Sequence, residues 1–98
     1  MAQLVFSPVA QFDLERLTDF LLEVDPLAAV ETVELIEEAV EILKHHPLIG
    51  RPAESGLREL VISRGKTGYI VLYRFKVDED AVLIFAIRHQ REVGYSED

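Results

Sequence analysis

The feature that most restricts this chain is a pair of strand-like runs in its C-terminal half, Gly68-Tyr-Ile-Val-Leu-Tyr-Arg-Phe-Lys-Val77 and Ala81-Val-Leu-Ile-Phe-Ala-Ile-Arg-His89, joined by Asp78-Glu79-Asp80. Both are rich in Val, Ile, Phe and Tyr and free of proline, and a short polar connection suits an antiparallel hairpin. Alternation sorts the side chains, because neighbours along a strand point to opposite sides. In the first run Tyr69, Val71, Tyr73, Phe75 and Val77 make a wholly apolar face, and Ile70, Leu72, Arg74 and Lys76 make the other. In the second, Leu83, Phe85, Ile87 and His89 fall on one side and Val82, Ile84, Ala86 and Arg88 on the opposite one. Matching the most apolar faces puts Tyr69, Val71, Tyr73, Phe75, Leu83, Phe85 and Ile87 in the core. Ile70, Leu72, Val82 and Ile84 are then expected on an open face beside the cations, and that face is where function is expected.

With 98 residues and no Gly/Ser-rich linker, residues 1–98 are expected to form a single domain. Hydrophobic residues make up 49% and charged residues 29%, too apolar a mixture for a disordered chain. The longest apolar run falls far short of the ~18–20 residues that cross a bilayer, so no membrane association is expected. The N-terminal segment has no basic stretch ahead of its apolar residues, so it does not read as a secretory signal and a cytoplasmic location is expected. Cysteine is absent, which removes disulfides and thiolate metal sites together. His45 and His46 read as helix-end residues, and no cofactor or metal is expected.

Charge is unevenly placed. Residues 1–43 hold ten acids against Arg16 alone, whereas Lys44 to Lys76 holds seven bases against Glu54 and Glu59. A basic sheet on an acidic body can meet an anionic partner locally even though the whole chain is at −8.

Gln3-Leu-Val-Phe6 reads as a strand stopped by Ser7-Pro8, a side-chain cap followed by a proline that suits the first helical position. Ala10, Leu14, Leu17, Leu21 and Val24 then recur at helical period, with Phe20 and Leu22 widening the stripe. Asp25-Pro26 repeats the start signal, and a second helix runs to about His45, where Pro47 prevents continuation. Leu48 to Gly56 reads as a surface loop, in which Arg51 is either a loop anchor or a binding residue. Leu57 to Ile62 reads as a strand. The predicted fold is a two-layer α+β domain of order β-α-α-β-β-β, a helical hairpin packed on one face of a mainly antiparallel sheet.

Five stretches carry a resemblance across nearly the whole chain: Ser7-Pro8-x-Ala10-x-x-Asp13-Leu14, His46-Pro47-x-x-Gly50-Arg51-Pro52, Leu57-Arg58-Glu59-Leu60, Gly68-Tyr69-Ile70-Val71-Leu72-Tyr73-Arg74, and Ile87-Arg88-His89-Gln90-Arg91-Glu92. Together they resemble the RelE/ParE superfamily of toxins from bacterial type II toxin–antitoxin modules. The resemblance implies the toxin fold of that order and a cognate antitoxin whose C-terminal segment wraps the toxin in a hetero-oligomer. It also implies one of two activities: ParE-like members poison DNA gyrase, and RelE-like members cut mRNA on the ribosome.

Chemistry has to choose between them, since one fold serves both. Cleavage through the RNA 2′-hydroxyl needs a base, an acid and cations around the developing phosphorane charge. Arg58, Arg74 and Arg88 have the right charge, and His89, Glu92 and Tyr95 are the candidate proton carriers, but His89 has the parity of the buried face. An acidic chain also departs from the strongly basic character that binding ribosomal RNA favours. The expected function is therefore gyrase inhibition without catalysis. An mRNA endonuclease is the alternative, and a non-toxic interaction module is the third reading. Arg58, Arg74, Arg88 and Arg91 are the expected target-binding residues; Ile70, Leu72, Val82 and Ile84 are the expected antitoxin-binding residues.

Overall fold

The two cap-and-proline signals open two helices. The computed structural model describes residues 1–64 and 67–90. In it strand β1 (Gln3–Phe6) leads directly into helix α1 (Pro8–Val24), and Asp25 separates α1 from helix α2 (Pro26–His45). Ser7 accepts from the Ala10 amide at 3.0 Å and Asp25 from the Ala28 amide at 3.3 Å, each meeting a donor that the first helical turn leaves unpaired. Lys44 and His45 lie in the last turn of α2, where cations suit the carbonyl end of a helix.

Four more strands follow: β2 (Arg51–Pro52), β3 (Arg58–Arg64), β4 (Thr67–Lys76) and β5 (Ala81–His89). The sheet order is β1-β5-β4-β3-β2, with β1 parallel to β5 and the remaining neighbours antiparallel. The α+β class and the helical hairpin are as expected; the two-residue β2 is an addition. It falls in the stretch read as loop, because a pair of residues ending in proline carries no strand periodicity.

The main departure is a bulge. Leu72 pairs with Ala86 but Tyr73 pairs with Ile84, so Phe85 is an extra residue in β5. One inserted residue reverses the facing of everything beyond it. Val82 and Ile84 therefore join Tyr69, Val71, Tyr73 and Ile87 in the core, all buried, and Leu83 and Phe85 move to the open face, half-buried. This corrects the expected placement of Val82 and Ile84 on the open face and of Leu83 and Phe85 beneath the helices. A slip between apolar residues leaves no mark in an alternation that is apolar on both sides.

Helix α1 buries Ala10, Asp13 and Leu17, and α2 buries Ala29, Thr32, Ile36, Val40 and Leu43, so the hairpin covers the face of Tyr73 and Ile84. Phe20 and Leu22, expected to widen the buried stripe, and Val24, expected as its last member, are exposed. No helix among the described residues is long and apolar enough to cross a membrane.

The bulge is held from α1. β1 ends at Phe6, and there the chain turns so that the Ser7 amide donates to the Ile84 carbonyl and the Ser7 hydroxyl to the Phe85 carbonyl, at 2.9 and 2.8 Å. One and a half turns later the buried Asp13 carboxylate accepts from the Ile87 amide at 3.0 Å. Three backbone groups of β5 that no strand reaches are thereby satisfied, as buried backbone requires. Replacing Asp13 by alanine leaves the Ile87 amide buried without an acceptor, and the expected loss is about 1–3 kcal/mol in urea denaturation. Ser7→Ala is expected to cost at least as much as an ordinary helix cap, about 1 kcal/mol, since it removes the Phe85 bond as well.

Candidate functional site

The face of the sheet away from the helices is built from alternate residues of four strands. On β4 it carries Ile70, Leu72, Arg74 and Lys76, which pair across to Arg88, Ala86, Leu83 and Ala81 on β5. Val5 of β1 joins it opposite Leu83, and Glu59 and Val61 of β3 join it opposite Leu72 and Ile70. Val5 and Val61 are 41% and 39% exposed, and Leu72, Leu83 and Phe85 are half-buried. Ile70 belongs to this side by register but is only 5% exposed.

Arg74 stands within this apolar strip. Its guanidinium lies 5.8 Å from the Phe85 ring centroid, over the ring face, and donates to the Ser55 carbonyl at 2.6 Å. Ser55 and Gly56 both have positive φ, 59° and 76°, and the arginine grips this left-handed turn. Of the four residues expected to bind the target, Arg74 and Arg88 lie on the open-face side by register, Arg74 among the half-buried apolar residues.

Arg58 lies elsewhere. It pairs with Tyr73 and so faces the helix side, where its guanidinium donates to the carbonyls of Leu48 and Gly50 at 3.2 and 2.7 Å. The Gly50 amide in turn donates to the Tyr73 phenol oxygen at 2.8 Å. A Cβ on Gly50 would lie 2.6 Å from that oxygen and 2.8 Å from the Glu59 carbonyl, so the loop can approach only with glycine there. Arg51 pairs with Glu59 at 2.8 Å. The His46-Pro47-x-x-Gly50-Arg51-Pro52 stretch is thus pinned by Tyr73, Arg58 and Glu59.

Arg88 is exposed, but its Nε is 3.5 Å from Asp13 Oδ2, and Arg16 lies 3.7 Å from the other oxygen of the same buried carboxylate. Charge reversal at Arg88 therefore acts on the fold as well as on any target. Arg91, Glu92 and Tyr95 lie outside the described residues. His89 has the helix-side parity expected of it and meets Tyr69 edge-on, with ring centroids 5.3 Å apart. Among the described residues no group of three or more His, Cys, Asp or Glu could hold a metal ion. Sequence reasoning missed Leu83, Phe85, Val5 and Val61 as open-face residues. Their common signal is cross-strand register, which for Leu83, Phe85 and Val5 depends on the bulge and for Val61 on its pairing with Ile70.

Burial pushes the Tyr73 phenol above its ordinary pKa, offset in part by the Gly50 hydrogen bond and the charge of Arg58. A raised pKa favours the protonated phenol in the folded chain, so this contribution is complete at neutral pH and is lost as pH rises from about 10 through the higher folded value. Tyr73→Phe is expected to be less stable at pH 7 by about 1–3 kcal/mol because the Gly50 amide loses its acceptor, and its deficit should shrink in denaturation curves recorded above about pH 10. Gly50→Ala, which forces a backbone shift, is expected to cost about 1–3 kcal/mol in the same assay.

With this geometry in place, comparison with known proteins is informative. Residues 4–94 match the model of the ParE toxin of the type II toxin–antitoxin system parDE. Toxin RelE3 of Caulobacter vibrioides is 39% identical over 92 residues, covering 94% of this chain and 98% of the relative. Among solved structures, a chain of the chromosomal ParDE TA system from P. aeruginosa superposes with a TM-score of 0.75 at 26% identity, over 90% of this chain and 95% of that one. A chain of the toxin–antitoxin complex RelBE2 from Mycobacterium tuberculosis gives 0.60 at 27%, over 90% and 96%. The chain belongs to the ParE toxin family of type II toxin–antitoxin systems, within the wider RelE/ParE group.

Proposed function

We propose that this toxin arrests growth by inhibiting DNA gyrase, without catalysis of its own, and that a cognate antitoxin silences it by covering the open sheet face in a hetero-oligomer. The observation that carries the proposal is the make-up of that face. Half-buried Leu72, Leu83 and Phe85 surround Arg74, with Lys76 at the margin and Glu59 engaged by Arg51. Such a surface suits a protein partner, with aliphatic and aromatic anchors beside a cation, better than it suits proton transfer. An arginine stacked on a phenylalanine is already oriented toward an incoming carboxylate. The match to a ParE model over residues 4–94 supports the same reading.

The mRNA endonuclease reading is favoured by a different fact, the 39% identity to a protein named Toxin RelE3. It would require RNA to meet a base, an acid and several cations at one place. Arg58 and Arg74 lie on opposite faces of the sheet, and His89 faces the helix side.

Purified protein separates the readings. Inhibition of supercoiling with mRNA intact on translating ribosomes is expected; codon-spaced cuts without gyrase inhibition would establish the endonuclease, and silence in both assays the interaction module. Arg74→Glu combined with Lys76→Glu should lower gyrase inhibition by about tenfold or more in a chain still folded by circular dichroism, while Glu34→Lys and Glu38→Lys leave it near the parent value. For the antitoxin, Leu72→Ala with Leu83→Ala should weaken binding by about tenfold per residue in calorimetry, as loss of partly buried aliphatic contacts predicts. Alanine at Val82 or Ile84 would instead open a cavity in the core, destabilising the toxin by several kcal/mol, on the order of 2–5 for isoleucine.

A further inference from the structure

One turn in the connection between α2 and β2 carries side chains that the fold does not use. His46-Pro47-Leu48-Ile49 is closed by the Ile49 amide donating to the His46 carbonyl at 3.1 Å, with proline in the second place, where its fixed φ suits a β-turn. Turn tips are ordinarily polar, yet this one ends in Leu48 and Ile49, 59% and 56% exposed. Beside them lies an open hollow of about 470 Å³, walled by Pro47 and the half-buried Phe75.

The turn is also held more firmly than a surface connection needs. The Arg58 guanidinium donates to the carbonyls of Leu48 and Gly50, the Gly50 amide donates to the Tyr73 phenol oxygen, and the close approach at residue 50 admits only glycine. Two aliphatic side chains are thereby fixed in place before any partner arrives, so little conformational freedom remains to be lost on contact. Exposed apolar residues on a rigid tip beside an apolar hollow form a knob and a hole, the geometry by which protein interfaces are anchored.

Charge and position narrow the choice of partner. Around the hollow, Lys44 and Lys76 are matched by Glu41 and Glu79 at 2.8 and 3.5 Å, whereas Arg58 meets carbonyl oxygens and is in no ion pair among the described residues. The tip therefore has a cationic base, unlike the acidic helices, and suits an apolar pocket bordered by carboxylates. Phe75 lies between Arg74 and Lys76 in β4 and faces the helix side while they face the open side. A globular partner engaged by those two cations thus reaches the hollow by passing round the end of a single strand.

We propose that the Leu48-Ile49 tip is a second anchor for the gyrase target, seated in an apolar pocket of that protein while a side chain of the target fills the hollow against Phe75. This rests on the gyrase reading. It also divides the two partners, since the antitoxin holds the open face and the tip belongs to the target alone.

Two double variants test it. Leu48→Ser with Ile49→Ser removes both anchors at exposed positions, and Leu48→Met with Ile49→Val keeps their hydrocarbon. Each is assayed for inhibition of supercoiling and titrated calorimetrically with purified gyrase and, separately, with antitoxin. The first is expected to lose about tenfold or more in inhibition and in gyrase affinity, with melting temperature and antitoxin affinity unchanged. The second is expected to behave as the parent. Full inhibition by the first variant beside an active parent would overturn the anchor and leave the gyrase reading standing; a parent inert toward gyrase would overturn both. An equal loss of antitoxin affinity would assign the tip to the antitoxin, and self-association of the parent that the first variant abolishes would assign it to a second copy; either result overturns the proposal.

Discussion

β1 has four residues and β5 has nine, so beyond Ile84 one edge of β5 meets no strand. Backbone groups left there in a buried setting would cost as much as lost hydrogen bonds, and the chain meets the need with the start of α1. Ser7 serves the cap of the helix and the bulge of the strand with one hydroxyl, accepting from Ala10 and donating to Phe85. Asp13 continues the edge at Ile87, and its remaining capacity is met by Arg16 and Arg88. These bonds tie the start of α1 to β5, and the core of Ile36, Val40 and Leu43 packs with Tyr73 and Ile84 beneath the hairpin.

The bulge also decides what the molecule shows to a partner. An unbulged β5 would have offered Val82 and Ile84; the inserted Phe85 offers itself and Leu83 instead, and supplies the ring over which Arg74 lies. A fold-level device of one residue thus chooses the anchors of the open face. The acidic helices lie on the other side, so each layer of this two-layer domain presents its own sign of charge.

Much of this was readable in the residues. Ser7-Pro8 and Asp25-Pro26 mark helix starts by chemistry that acts within a single turn, and the structure places both helices there. β4 and β5 were readable within a residue at each end, because their β-branched and aromatic runs end at charged or glycine-containing turns. What escaped reading depends on contacts distant in sequence. Asp13 looks like one more helix acid until Ile87 is brought to it, and Arg58 looks like an exposed cation until its pairing with Tyr73 turns it toward Gly50. Phe85 could not be singled out among apolar neighbours. Arg74 lies on the face its alternation gave, since the extra residue is in β5 and leaves the alternation of β4 intact.

The parallel pairing of β1 with β5 has a consequence for the order in which the molecule assembles. Gln3 lies opposite Ala81 and Ser7 is bonded to Phe85, contacts that span most of the chain. Such contacts carry the largest loop-closure cost and form late. During synthesis the helical hairpin is complete when its central strand has not yet been made, so α1 and α2 have no sheet on which to bury Ile36 and Leu43. The open face comes into being only once β5 is inserted between the first strand and the fourth. A chain that has not yet reached β5 therefore has neither the parallel pair with β1 nor the bonds from Ser7 and Asp13 that hold α1 to the sheet.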